Sequence, residues 1–269
     1  MDRGVTEFAI HSCMTALVLR DDVIRPHLAA AAYPLVFVTV SGAHLYGFPS
    51  ADSDYDLRGM HATPLRELVR LRPPPETLET MDKSGPVEVD LVTHDVRKYF
   101  SLMLRRNGYV LEQVCSPLVV HATPELDELR ALVPACLTRH HRHHYHGFAE
   151  NQWAMVVKNG RPTVKGLLYT YRVLLAGIQL MRTGKLEANI NVLNQEHALA
   201  YIPDLIERKV SGTEKQSLRP GELERHEAEF VRLRDLLDSA SAASSLPEET
   251  SAAPALDDLL VRIRMKHLE

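Results

Sequence analysis

The segment SGAHLYGFPSADSDYDLRG, residues 41–59, constrains this chain more than any other. It follows an apolar run at 33–40 (YPLVFVTV), which predicts a strand. The strand leads into a small-residue turn at Ser41-Gly42, then a short helix-capable stretch, then Asp54 and Asp56 one residue apart. Side chains at i and i+2 of a strand share a face. Asp54 and Asp56 are therefore expected to grip one metal site, with Tyr55 and Leu57 pointing the other way. Two carboxylates so placed suit magnesium-dependent chemistry on a nucleoside triphosphate.

Such chemistry calls for a further carboxylate from an adjacent strand, converging on two Mg2+ ions, with Mn2+ as a substitute. Residues 87–93 (VEVDLVT) alternate and predict that strand. Val87, Val89 and Leu91 share one face; Glu88 and Asp90 share the other. Asp90 is the expected third ligand, assigned to activation of the nucleophile, with Glu88 a weaker fourth member. A solvated acidic turn is the bland alternative, but the upstream strand, the turn and the second strand all agree against it. A calcium loop starting at Asp52 fails, because Leu57 sits where Gly is needed and Thr63 where the bidentate Glu is needed. At Ser41-Gly42, the missing Cβ lets backbone amides approach a phosphate closely, although a Ser-Gly after a strand is more often a plain turn.

The 269 residues allow one large domain or two ordinary ones. A formal net charge of −4 excludes a strongly basic coat but not a local basic groove. Three scattered cysteines, Cys13, Cys115 and Cys136, have no metal or redox spacing and predict reduced thiols. No leader-like opening and no membrane-length apolar run is present, so a cytoplasmic protein without membrane contact is expected.

Residues 14–32 have helical spacing with a Pro interruption, and Thr63-Pro64-Leu65 predicts a helix start with Pro at its first position. Arg72-Pro73-Pro74-Pro75 opens a loop. His94-Asp95 caps an expected helix that runs to a turn at Asn107-Gly108, and another helix follows at 110–114. Beyond about residue 136 strand signals vanish. Helices are expected at 146–159, 163–182, 194–210 and 221–240, then a flexible connector at 239–255, then an amphipathic helix at 256–268.

Strand, Gly-Ser-like turn, Asp-x-Asp and a third Asp on a later strand together resemble the DNA polymerase beta-type nucleotidyltransferase superfamily. The order here is Ser-Gly instead of Gly-Ser. The finer pattern SGxHLYG…SDxDLRG resembles the YcgL/RlaP subgroup, associated with RNA ligases. Supporting matches are Lys98 in HDVRKYFSLMLRRN, then Asn107-Gly108, Val110-Leu111-Glu112, Gly147-Phe148-Ala149 as a helix start, Lys165…Tyr169…Arg172, and LPE at 246–248. The resemblance implies an α+β fold: a mixed sheet with helices in a catalytic domain, 1–135, and a helical bundle, 136–269, completing the cleft. It implies transfer of a nucleoside monophosphate from an NTP, ATP or GTP, to an acceptor, with loss of pyrophosphate. An RNA end is the favoured acceptor. A protein or small-molecule hydroxyl is the alternative. A non-catalytic nucleotide-binding module is a third reading, against which the intact set of three aspartates argues.

Lys165, Tyr169 and Arg172 fall on one helix face, able to hold a triphosphate and stack a base; a solvated face with a half-buried tyrosine is the other reading. Ser53 belongs to the same nucleotide-binding set. His44 touches nucleotide or lies on a helix surface; Arg58 binds phosphate or neutralises Asp52 or Asp54. Lys98 and Asn107 are polar groups near the site, or helix-surface and turn residues. The run from Arg139 to His146 has helical His spacing for zinc, but no cysteine or nearby acid completes a set, so a helix start or a weak phosphate-contacting patch is expected.

Overall fold

The computed structural model describes residues 19–158, 162–212 and 216–268. The first half runs α1 (Asp21–Ala29), β1 (Leu35–Val40), α2 (Gly42–Tyr46), β2 (Tyr55–His61), α3 (Leu65–Leu68), β3 (Thr77–Asp82), β4 (Val89–Asp95), α4 (Val96–Leu104), α5 (Gly108–Cys115), β5 (Val119–Ala122) and α6 (Glu125–Cys136). The second half is helical among the described residues: α7 (His141–Lys158), α8 (Val164–Thr183), α9 (Ile190–His197), α10 (Tyr201–Ser211), α11 (Glu222–Ala242) and α12 (Ala253–Lys266). The architecture is α+β, a mixed sheet followed by a helical bundle.

The five strands lie in the order β3-β4-β2-β1-β5. β2 and β4 are parallel, and the other neighbours are antiparallel. The strand pattern splits the sheet into two faces. Val38, Val40, Tyr55, Leu57, Val89 and Leu91 point to one side, where Ile24 of α1 covers them. Phe37 and Met60 point to the other and join the large core of the helices. Asp56, Arg58 and Asp90 alternate with the first set, so they face the helical side. α8 is the spine of that side, packed between α7 and α11. α12 returns to lie against α4 and α6.

Several elements depart from the expectations. β3 has no clear alternating apolar pattern, since it is an edge strand whose Met81 is exposed. β5 has four residues, too short to show a period. The helix expected at 194–210 is two, because Ala198 takes a left-handed conformation (φ 48°) and Asn194 caps the break by accepting from Leu199 N–H. α7 begins at His141, so Gly147-Phe148-Ala149 lies inside it. Pro64 sits at the N-cap of α3, one place before the expected first position. The connector before α12 is tied down rather than loose: Thr250 and Ser251 both donate to Ala135 O, and Arg139 N–H donates to Pro247 O. Part of the 14–32 expectation, residue 159, and Cys13 lie outside the described residues; Cys115 and Cys136 are free thiols. No described helix is long and apolar enough to cross a membrane.

Candidate active site

The site grows from the parallel pairing of β2 with β4. In that register Asp56 stands opposite Asp90, both on the helical face. Arg58, two residues after Asp56 on the same face, folds back between them. Its Nη2 donates to Asp56 Oδ1 at 2.9 Å and to Asp90 Oδ2 at 2.7 Å. Its carboxylate partners are therefore Asp56 and Asp90, not Asp52 or Asp54. Burial pushes the Asp56 carboxyl above its usual range; Arg58 opposes that rise and the Asp90 charge adds to it.

Gly42 explains how Asp56 fits. Its φ is +59°, and a Cβ there would overlap the Asp56 carboxylate. Ser41, fully buried, donates its N–H to Asp56 O at 2.7 Å, which clamps the turn to the strand. The helix α2 that follows has only five residues, so close backbone approach, more than a helix dipole, is what the turn offers.

Asp54 precedes β2 and is exposed, on the rim of a recess it shares with Asp56. Lys165 from the start of α8 and Lys209 from α10 enter the same recess. Lys209 is buried, and its ammonium donates to Ser50 Oγ at 2.6 Å and Ser53 Oγ at 3.0 Å. It thereby fixes the loop that delivers Asp54. Asp52, on the recess rim, is held below the usual carboxylate range, chiefly by a hydrogen bond from Ser50. His44 stacks on Tyr55 with ring centroids 4.8 Å apart, and burial, then Lys209, lowers its pKa.

On the other side of Asp56 opens an aromatic cleft of about 330 Å³. Tyr46, Tyr109, Phe148, Tyr169 and His144 line it. Tyr169 packs edge-on against Tyr46 and Phe48 and borders both cleft and recess. The floor is an ion pair: Arg172 Nη1 donates to Glu112 Oε2 at 2.7 Å, with side chains 2% and 3% exposed. Tyr145 donates to the other Glu112 oxygen at 3.0 Å, and the Arg172 guanidinium lies 4.1 Å from the Tyr46 ring centroid. Burial pushes the Glu112 carboxyl up, and the guanidinium pulls it back. His144 is driven down to about 4 by burial and then Arg172, so it is neutral at pH 7.

Of the sequence-predicted residues, Ser41, Gly42, Asp54, Asp56, Arg58, Asp90, Ser53, Lys165 and Tyr169 come together. Arg172 reaches the cleft as its buried floor, and Asn107 caps α5 on its wall. Lys98 stands apart: it donates to Thr77 Oγ1, opposite His94 and four residues along β4 from Asp90. Glu88 turns to Lys83 at 3.0 Å. Within the histidine run, His140 pairs with Glu248, His141 is buried at the start of α7, and only His144 faces the cleft. Lys209, Ser50, Tyr109 and the roles of Glu112 and Phe148 escaped the sequence reading. Lys209 lies in an ordinary amphipathic helix distant in sequence, and nothing local marks it.

Among the described residues no three His, Cys, Asp or Glu side chains form a ready-made metal nest. The donor set still fits a hard divalent cation, which prefers carboxylate oxygens. Asp54 and Asp56 border one recess, the missing Cβ of Gly42 leaves Asp56 its room, and a guanidinium already sits between Asp56 and Asp90.

The profile of the RNA repair pathway DNA polymerase beta family (RlaP) matches residues 20–262. The chain belongs to this family. It is a nucleotidyltransferase of the DNA polymerase beta type, in a family associated with RNA repair. An uncharacterised protein of Methanocaldococcus jannaschii, MJ0002, is 25% identical over 238 residues, covering 82% of this chain and 92% of its own. A crystal structure of a nucleotidyltransferase-like protein from Exiguobacterium sibiricum aligns with 81% of this chain and 73% of its own at 14% identity and a TM-score of 0.33.

Proposed function

We propose that the protein is a magnesium-dependent enzyme that moves a nucleoside monophosphate from ATP or GTP onto an RNA end. The observation that carries this reading is the meeting of Asp56 and Asp90 on one guanidinium, between a lysine-lined recess and an aromatic cleft. Asp54 and Asp56 hold the divalent metal, which when bound neutralises charge on the triphosphate and on the leaving pyrophosphate. Lys165 and Lys209 receive phosphate oxygens in the recess. The Gly42 turn gives the Asp56 carboxylate its room against the backbone. Asp90 accepts the proton of the acceptor hydroxyl as its oxygen bonds to the α-phosphorus. The bond from the α-phosphorus to the bridging oxygen breaks, and pyrophosphate leaves. Preorganised charge and positioning supply most of the rate.

The aromatic cleft supports a nucleobase as ligand, since every base offers a face to stack on Tyr or Phe. A neutral His144 adds a flat ring without adding charge. The test is incubation of the protein with α-labelled ATP or GTP and, separately, RNA bearing free ends, cell protein and small alcohols. Label on RNA with release of pyrophosphate is expected. Label on protein alone would defeat the RNA reading, and NTP binding without pyrophosphate from any acceptor would leave a binding module.

A further inference from the structure

Arg58 has nothing left to give. A guanidinium carries five N–H donors, and all are engaged here. Nε donates to Tyr109 Oη at 3.2 Å. Nη1 donates to Leu57 O at 2.9 Å and Asp90 O at 2.7 Å. Nη2 donates to the carboxylates of Asp56 and Asp90. Three of these bonds go to groups other than the two carboxylates: the Tyr109 hydroxyl and the backbone carbonyls of Leu57 in β2 and Asp90 in β4. The fork is thus set by the sheet itself and does not depend on the carboxylates for its place. It is largely shielded, with 15% of the side chain exposed.

We infer that Arg58 is a built-in monovalent cation standing where a two-ion enzyme would hold its second metal, so that this site takes one divalent ion. The inference rests on the transfer reaction proposed above and concerns how its charge is supplied. A planar guanidinium matches carboxylate geometry, is always protonated, and is less hydrated than an ammonium. It therefore serves as a permanent bridge between Asp56 and Asp90. By holding Asp90 Oδ2, it leaves the oxygen it does not hold to take the acceptor proton. Asp56 Oδ1 is likewise held, so its Oδ2, the atom packed over Gly42, is the oxygen offered to the ion shared with Asp54. Arg58 thus acts through Asp56 and Asp90 as a positioning residue and has no donor for phosphate.

The test is anomalous diffraction from crystals of the full chain soaked with Mn2+ and the α,β-methylene analogues of ATP and GTP. Wild type should show one Mn2+ peak, touching Asp54 and Asp56. Arg58→Gln, which removes the charge, should show a second peak between Asp56 and Asp90. Arg58→Lys, which keeps a charge there, should stay at one. Thermal melting followed by circular dichroism checks that each variant is folded, and the wild-type count stands even if a variant is not. Two peaks in wild type, or one in a folded Arg58→Gln, would overturn the role of Arg58 and leave the transfer reaction standing. No peak in wild type with the nucleotide bound would overturn both.

Discussion

Arg58 and Arg172 both sit among carboxylates beside the same cleft, yet the two clusters differ in what surrounds them. The Arg172–Glu112 pair is sealed, 2% and 3% exposed, and capped by the Tyr145 hydroxyl. The Asp56–Arg58–Asp90 cluster is open, with Asp56 32% and Asp90 24% exposed. A sealed pair cannot exchange partners without stranding a charge, so it holds α5, α7 and α8 together. An open one keeps its carboxylates within reach of solvent, as the proposed transfer needs. Motif spacing makes both arginines look alike; burial separates them.

The sealed cluster offers the largest effect. Arg172→Met strands Glu112 and should cost about 3–5 kcal/mol of stability, read by urea unfolding. A loss under about 1 kcal/mol would mean that water reaches Glu112, and the distinction between the clusters would fail. The open cluster should behave in the opposite way. Asp54→Ala and Asp90→Asn should lower transfer by roughly a hundredfold to a thousandfold, the usual range for losing one preorganised electrostatic contact, with little change in unfolding. Asp90→Asn should still bind NTP, measured by calorimetry, whereas Asp54→Ala should lose metal-dependent binding. Wild-type turnover in Asp90→Asn would remove the third carboxylate from the mechanism.

Gly42→Ala tests the boundary of the open cluster. A side chain at φ +59° costs about 1–2 kcal/mol, and the Cβ must also displace the Asp56 carboxylate. Transfer should therefore fall further than stability, and equal losses would argue that the turn is only structural. Lys165→Ala should weaken NTP affinity roughly tenfold, as expected for one charge-assisted hydrogen bond. Unchanged affinity would return Lys165 to a solvated face.

Acid sharpens the comparison through a third arginine. Buried Asp95 caps α4 by accepting from Arg97 N–H, and also accepts from Thr63 N–H and from Arg264 of α12. Burial opposes the charge, but these donors hold its carboxyl below the usual 3.8. A depressed folded pKa contributes stability above the unfolded value that is lost as pH falls through the folded one. Unfolding below about pH 4 should steepen in wild type and flatten in Asp95→Asn, with the slope read from urea midpoints against pH. Asp56, raised by burial, has the opposite sign, and its share of stability is lost as pH rises.

The strand of residues 35–40, the strand that carries Asp56, the Asp90 strand and the helical second half were legible because each depends on local periodicity or turn chemistry, whereas Asp54, expected on the Asp56 strand, lies just before it. Asp95 as a helix cap and the inward face of Asp90 follow from the same local rules. Edge strand β3 and the broken helix at Ala198 were not, since an exposed edge needs no apolar alternation and one left-handed residue leaves little trace in composition. Lys209 at Ser50 and Ser53, Tyr109 on Arg58, and the sealing of Arg172 by Glu112 join residues 51 to 159 positions apart. The sequence by itself determined that the Asp56 and Asp90 side chains leave the apolar face of their strands, because a strand's two-residue period sorts its faces wherever it packs. Tertiary structure alone decided which arginine has sealed carboxylate partners and which has open ones, because desolvation is set by what other segments bring to lie against a side chain.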